Sequence, residues 1–502
     1  MDERDAATVA KSEGESAPER AAGRSATGLR MVPAILAAAV AVAVALWLGV
    51  RHGALRGEAD PSGATVPRAG APRPNLLVVS LDTTRADHLS AYGYDRPTTP
   101  RLEALLPSSV RFDAAYTPMP STMPAHSSLF TSLFPRTHGV RKNGVPLAKT
   151  MPTLAESLSA AGWRTAGFAS SFVLHRKFGI SRGFATWDDD FAGVACKGWT
   201  AGDGDDESFC RRGAQTRERA LAWLDANGWL DPSRRPAEPF FLFVHLFDAH
   251  NPYAPPAEDA RLFPPRGDAP SDLDREIAAY DGEIHYADAQ LGALLDRLAA
   301  AGVLDDTLVV VFGDHGEGLM QHGWMNHGMM IYEEAVRVPL VVRWPSRLSG
   351  GRRVEAPVEL VDLAPTMLDL LEVTGALPAR QGRSLAPELL GERTLDPEAP
   401  AFVQRRVYKR QRRRDDFDVK GEKTGVRVGR WKYLEAPEEG TRELYDLDRD
   451  PGELSNLAGE RPDDVARLAG VLAAWRARTP EGGAGEVAPD DVERLRALGY
   501  VQ

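Results

Sequence analysis

Three apolar runs that each close on a carboxylate constrain this chain more than any other feature. Asn75-Leu-Leu-Val-Val-Ser-Leu-Asp82, Phe240-Phe-Leu-Phe-Val-His-Leu-Phe-Asp248 and Thr307-Leu-Val-Val-Val-Phe-Gly-Asp314 are apolar almost without interruption. A strand that shows one face to water alternates apolar and polar residues, so runs like these read as strands covered on both faces. Between the second and third, Ile277, Tyr280, Ile284, Ala287 and Leu291 recur at helical spacing within Glu276–Ala301. Thr153-Leu-Ala-Glu156 has the spacing of a capping box that opens a helix. Strands alternating with helices predict an α/β fold with a mostly parallel sheet covered by helices. Such a sheet takes its ligands at the carboxyl ends of the strands, where Asp82, Asp248 and Asp314 lie.

The chain has 502 residues, enough for one large domain and a smaller appendage. Residues 1–30 have no apolar periodicity and read as a disordered tail. Met31–Val50 is an apolar run of about the ~20 residues that span a bilayer core, bracketed by Arg30 and Arg51. It reads as an uncleaved transmembrane helix ahead of a cleaved signal, because it is long for a signal and no small-residue cleavage site follows closely. Residues 51–74 form a linker, 75–395 the main domain and 396–502 a C-terminal α+β subdomain. In the last segment Gly425–Tyr433 looks like one strand and Leu444–Leu447 like another, with a turn at Asp450-Pro-Gly and a helix near Asp463–Arg476.

A formal net charge of -11 argues against nucleic acid as a partner, since such proteins usually carry a basic face. The one strongly basic run, Arg405–Arg414, reads first as a solvated surface loop and second as a docking site for an anionic polymer or lipid surface. Two cysteines, Cys196 and Cys210, share one Gly- and Asp-rich loop and could either pair in an oxidising compartment or stay free.

Three strand-end carboxylates together with His250, His315, His322 and His327 concentrate hard and borderline metal donors. Any one of these histidines would ordinarily be a hydrogen-bonded structural residue, but their joint occurrence at strand ends points to a metal site. Asp314-His315 offers adjacent oxygen and nitrogen donors, and Asp82 approaches from a neighbouring strand.

From Asn75 to near the C-terminus the order of motifs resembles the sulfatases of the alkaline phosphatase superfamily. Leu81-Asp-Thr-Thr-Arg-Ala-Asp87 followed by Ala91-Tyr-Gly-Tyr94 is similar to the family's opening strand and turn. Thr122-Met-Pro-Ala-His126 and the following Ser-Ser-Leu-Phe-Thr-Ser-Leu-Phe-Pro135 resemble the family's nucleophile segment with its spacing kept. Phe240 through His250-Asn-Pro-Tyr253 resembles the strand with a substrate-binding histidine, and Gly313-Asp-His-Gly-Glu317 the second metal-ligand turn. His327-Gly328 with Tyr332 through Pro339 resembles a substrate-contact segment; Trp431-Lys-Tyr, Glu443-Leu-Tyr-Asp446, Asp450-Pro-Gly-Glu453 and Arg494–Tyr500 resemble the ending of bacterial members. The resemblance implies an alkaline phosphatase-like fold.

The departures shape the chemistry expected. Sulfatases of the common kind convert Cys or Ser to formylglycine, which Thr122 cannot become. A threonine hydroxyl can attack sulfur or phosphorus directly, as in related phosphodiesterases and in phosphoethanolamine or glycerolphosphate transferases. Thr122, just ahead of Pro124, is also placed to be no more than a helix cap. His126 stands where the family has Arg, Thr83 replaces a second Asp, and the family's Lys-Trp-His segment is absent at Ala169–Val173.

Histidine at 315, where the family has Asn, shifts the donor set from all-oxygen to mixed, which favours zinc or manganese over calcium. The resemblance therefore implies a divalent metal held by Asp82, Thr122, Asp314 and His315, with Thr122 as nucleophile. His126, His250 and His327 would line the ester oxygens and one would protonate the leaving alkoxide. Asp248 would join His250 and His327 in a second metal site, or serve as a hydrogen-bond partner. The activity expected is hydrolysis of a sulfate or phosphate ester on a small molecule, glycan or lipid, by an enzyme anchored in the membrane with its body outside the cytoplasm. An envelope phosphoryl-group transferase and a non-catalytic binding protein of the same fold are the alternatives.

Overall fold

The computed structural model describes residues 73–192, 196, 209–413, 417–483 and 486–497. The expected tail, the apolar run Met31–Val50, the linker up to Pro72, and Arg414 lie outside the described residues. Among the described residues no helix is long and apolar enough to cross a membrane.

The main sheet has strands β1 (Asn75–Leu81), β2 (Ser109–Tyr116), β3 (Arg164–Phe168), β4 (Thr186–Asp188), β5 (Phe240–Leu246), β6 (Thr307–Gly313), β7 (Arg337–Arg343), β8 (Arg352–Val354) and β9 (Val358–Glu359). Their order is β8-β2-β7-β6-β1-β5-β3-β4, with β9 alongside β2. All pairs are parallel except those of β7, which runs against both β2 and β6. The expected mostly parallel sheet is present, with this one reversed strand inside it.

Both faces of the sheet are dry, which explains the unbroken apolar runs. Leu76, Val78, Phe241, Phe243, Val310 and Phe312 enter the core on the side of helix α1 (Thr122–Thr131). Leu77, Val79, Leu242, Val244, Val309 and Val311 enter the core on the other side, with Leu224 of α2 (Gly213–Ala226) and Ile284 and Leu291 of α3 (Asp272–Ala300). The Thr153 capping box forms in full: Thr153 Oγ1 accepts from the Glu156 N–H at 3.1 Å, and Glu156 Oε2 accepts from the Thr153 N–H at 2.9 Å.

A second, four-stranded antiparallel sheet joins Ala401–Gln404, Thr424–Val428, Trp431–Ala436 and Thr441–Asp446, with Leu468, Leu472 and Trp475 of α4 (Pro462–Arg478) packed on Phe402, Val426 and Tyr433. The single strand expected over Gly425–Tyr433 is therefore a hairpin. Val428 pairs with Trp431 across a tight turn at Gly429, whose φ of +56° suits glycine. The buried Lys432 Nζ ties this sheet to the connection after β6, lying 3.0 Å from both Glu333 Oε1 and Glu453 Oε1. Cys196 and Cys210 are joined as a disulfide.

Asp248 lies just beyond β5 and turns both carboxylate oxygens to the backbone N–H of Gly213, the first residue of α2, at 3.1 Å each. A carboxylate at a helix N-terminus satisfies an otherwise orphaned donor and meets the positive end of the helix dipole. Asp248→Ala is accordingly expected to lower stability by about 2 kcal/mol, the range for a hydrogen bond to a charged group, in a denaturant melt. An unchanged midpoint would show that the contact carries no weight.

Candidate active site

Asp82 follows the last residue of β1, Asp314 follows β6, and these strands are neighbours, with Leu81 opposite Gly313. The two carboxylates therefore meet at the carboxyl edge of the sheet, and both are fully buried. His315 comes next in the chain and is also fully buried. A close backbone approach holds this turn: Gly316 N–H donates to Ala335 O at 2.9 Å, and a Cβ on Gly316 would sit 1.9 Å from Glu334 O.

One donor atom each from Asp82, Asp314 and His315 lies within 4.8 Å of the other two. His315 Nε2 is 3.6 Å from Asp314 Oδ2 and 3.9 Å from Asp82 Oδ1. Asp314 Oδ1 accepts from the backbone N–H groups of His315, at 2.8 Å, and Thr83, at 3.1 Å. Its other oxygen, Oδ2, accepts no hydrogen bond from the described residues. Burial first, and then the Asp82 charge, hold the Asp314 carboxyl well above the usual carboxylate range.

Thr122 is the first residue of α1 and is fully buried, with Oγ1 3.2 Å from His315 Nε2. It is not the cap of that helix. Asn143 does that work: its Oδ1 accepts from Met123 N–H at 2.8 Å and from the hydroxyl of Ser121 at 3.1 Å. The Thr122 hydroxyl is thereby left facing His315 Nε2.

Ring tautomers follow from the partners. His315 Nδ1 faces Gly316 O at 2.9 Å, so it carries the proton and Nε2 presents a lone pair towards Thr122. His126, one turn along α1, donates from Nδ1 to Thr122 O at 2.7 Å and accepts at Nε2 from the Ser80 hydroxyl at 2.9 Å. His245, inside β5, donates from Nε2 to Asp82 Oδ2 at 3.0 Å and accepts at Nδ1 from Ser170 N–H at 3.4 Å. Burial pushes all three rings down to about 3, so they are neutral near pH 7.

Donor atoms of His126, His245 and Asp314 also come close together. In that group the nitrogens of His126 and His245 are spent on Thr122, Ser80, Ser170 and Asp82, so the mixed set with Asp82 and His315 is the better metal site. Its donors fit a divalent ion: two buried carboxylates, one of them with an oxygen lacking any hydrogen bond from the described residues, and a neutral imidazole.

His250 and His327 complete a row of rings. His327 lies 4.4 Å from His315 between ring centres and His250 lies 5.1 Å from His327, with His250 stacked on Phe247 at 4.3 Å. Glu317 Oε1 accepts from His327 Nδ1 at 3.2 Å, and burial chiefly holds His327 down to about 4. The structure thus gathers Asp82, Thr122, His126, His250, Asp314, His315 and His327.

Asp248 is engaged at α2, and no group of metal donors containing it forms among the described residues. His322, counted in the sequence with the other histidines, is elsewhere. It stacks on Tyr332 at 3.7 Å, with Nδ1 2.6 Å from Glu334 and Nε2 3.2 Å from Glu453 O. Sequence reasoning missed His245 and Ser80, which support Asp82 and His126. The available signal was a polar residue in each apolar strand at paired register.

The sulfatase family profile matches residues 74–373, and the profile for the C-terminal part of N-sulphoglucosamine sulphohydrolase matches residues 320–470. A choline-sulfatase of Rhizobium meliloti (strain 1021) is 27% identical over 448 residues, covering 77% of this chain and 82% of its own. The uncharacterized sulfatase YidJ of Escherichia coli (strain K12) is 26% identical over 432 residues, covering 77% and 83%. Among solved structures, the phosphonate monoester hydrolase of Agrobacterium radiobacter superposes with a TM-score of 0.65 at 24% identity, covering 81% of this chain and 96% of that one. BT4656, solved with its substrate D-glucosamine-2-N,6-O-disulfate, gives 0.66 at 20% identity, covering 81% and 98%. With more than half its length matched by the family profile, this chain belongs to the sulfatase family and is an ester hydrolase.

Proposed function

We propose that the protein hydrolyses sulfate or phosphate esters with Thr122 as nucleophile and a divalent transition metal, zinc or manganese, as cofactor. The observation that carries this reading is the Thr122 hydroxyl, buried 3.2 Å from His315 Nε2 while Asn143 supplies the helix cap. A metal held by Asp82, Asp314 and His315, with Thr122 as a further donor, would offset charge on the ester oxygens and favour the alkoxide form of Thr122.

The remaining work falls to the chain's own groups. His245 and the backbone N–H groups of Thr83 and His315 fix the two carboxylates, so the ligands are held before substrate arrives. His126 pins the Thr122 backbone to β1 through Ser80, which fixes where Oγ1 stands. Oγ1 forms a bond to sulfur or phosphorus as the bond to the leaving oxygen breaks, and the Thr122 proton passes to solvent. His327, oriented by Glu317, and His250 beside it would line the ester oxygens as neutral rings, and the leaving alkoxide takes up a proton from solvent. Water then attacks the Thr122 ester, the bond to Oγ1 breaks, and Oγ1 regains a proton.

Two outcomes test this. Thr122→Ala is expected to lower turnover of aryl sulfate, phosphate monoester and phosphodiester probes by orders of magnitude with a near-normal melting profile, while Thr122→Ser keeps part of the activity. Activity of Thr122→Ala within about tenfold of wild type, ~1.4 kcal/mol in barrier, rules out the covalent role. Purified protein is expected to hold about one equivalent of zinc or manganese, lost in Asp314→Asn. Less than about half an equivalent, with no uptake when either ion is added, refutes the metal assignment.

The same proposal has the enzyme held in the membrane by Met31–Val50 with its catalytic body outside the cytoplasm. The length of the apolar run supports this, as does the Cys196–Cys210 disulfide, since such bonds persist in oxidising compartments. Arg73 already belongs to the fold, with its guanidinium over Trp163 at 4.9 Å and bonded to Ala161 O at 2.5 Å. Removing residues 1–72 is therefore expected to give a soluble, folded enzyme. Persistent membrane association of that truncation points to a second attachment site.

A further inference from the structure

The start of the basic run is built against the active site. Gln404 N–H, at the end of its strand, donates to Pro118 O at 2.9 Å, four residues ahead of Thr122. The chain then leads into a hairpin of Tyr408–Arg413 paired with Phe417–Gly421. Tyr408 closes this hairpin onto the loop that carries His327: its hydroxyl donates to Gly328 O at 3.1 Å, and its ring packs with Met329 and Val419. Between these two anchors lies Arg406, half-buried, its guanidinium 4.4 Å from the centre of the Tyr408 ring.

Arg405 and Arg406 differ in what they meet. Arg405 is buried and closed by Glu439. Arg406 has no carboxylate within ion-pair distance among the described residues, although the chain as a whole carries a net charge of -11. An aromatic face holds a guanidinium flat while leaving its N–H edge to bind, and that edge matches the paired oxygens of a sulfate, phosphate or carboxylate. Through Tyr408 it stands beside the loop that carries His327.

We propose that Arg406, held between Gln404 and Tyr408, is a subsite for a second anionic group on the substrate, so that the preferred ester carries a sulfate or carboxylate beyond the group being removed. The proposal rests on the ester-hydrolase reading, and it names the substrate class as an ester that carries a second anionic group, in preference to a neutral alcohol ester.

The test compares two probes, glucosamine 6-sulfate and glucosamine 2-N,6-O-disulfate. Wild type is expected to prefer the disulfate by about tenfold in kcat/KM, chiefly through KM. Arg406→Ala should cut that preference by about fivefold or more, and Arg406→Lys, which keeps the charge without the planar fork, should retain part of it. A parallel calorimetric titration of the disulfate into Thr122→Ala, and into Thr122→Ala combined with Arg406→Ala, reads binding without turnover, with Kd expected to rise about fivefold or more. If wild type turns over neither probe while the titrations differ as expected, hydrolysis of these sulfate esters is refuted and the anion subsite stands. Equal preference in wild type and Arg406→Ala, or equal Kd in the two titrations, overturns the subsite, as does turnover of both probes by wild type at equal kcat/KM.

Discussion

Taking a carboxylate out of water costs several kcal/mol even after relaxation, and a second one beside it adds repulsion. Asp82 and Asp314 carry both costs, fully buried at adjacent strand ends, and most of the surrounding structure answers them. Backbone N–H groups of Thr83 and His315 take one oxygen of Asp314, and His245 takes one of Asp82. Around Asp314 the charged partners within reach are histidines, His126 at 3.7 Å and His315 at 3.6 Å, and burial keeps both rings neutral. Two buried carboxylates beside neutral imidazoles are a donor set that suits a divalent cation.

The neutrality of these rings has a second use. A neutral imidazole has one donor and one acceptor edge, so a row of them can transmit orientation without adding charge. His126 joins the Thr122 carbonyl to Ser80, and His245 joins Asp82 to the Ser170 backbone, which locks Thr122 and Asp82 to β1 and β3's outgoing turn. This makes sense of histidine at 126, where sulfatases resembling this chain have arginine. A guanidinium there would bring positive charge to Thr122, whereas the neutral His126 fixes the Thr122 backbone without adding charge.

The sheet was legible because burial on both faces leaves a plain mark, the unbroken apolar runs that became β1, β5 and β6. Asp82, Asp314 and His315 were legible for the related reason that strand ends are where a chain can place donors together. His245 was not, because a histidine inside a strand looks the same whether it is packed or orienting a ligand, and only its 3.0 Å contact with Asp82 distinguishes the two. His322 failed in the opposite way. Its nearness in sequence to His315 and His327 carried no information about a loop that sends it to Glu334 and Tyr332 instead. The hairpin at Gly429 left only a one-residue shift in the alternation, from Val426 and Val428 to Trp431 and Tyr433, which is easily read through as one strand.

The reversed strand β7 has a consequence for how this protein can change. A chain that joins two parallel strands must cross from one edge of the sheet to the other, so much of its length is committed to the crossover. Because β7 returns antiparallel to β6, the connection 314–336 begins and ends at the same edge. His315, Glu317 and His327 all sit on that excursion, and the Tyr408 hairpin leans on it at Gly328. Its tip, residues 320–324 beyond the pairing of Gly318 and Leu319 with Asn326 and Met325, can change in length without moving β6 or β7, while the carboxylates at the strand ends stay where they are.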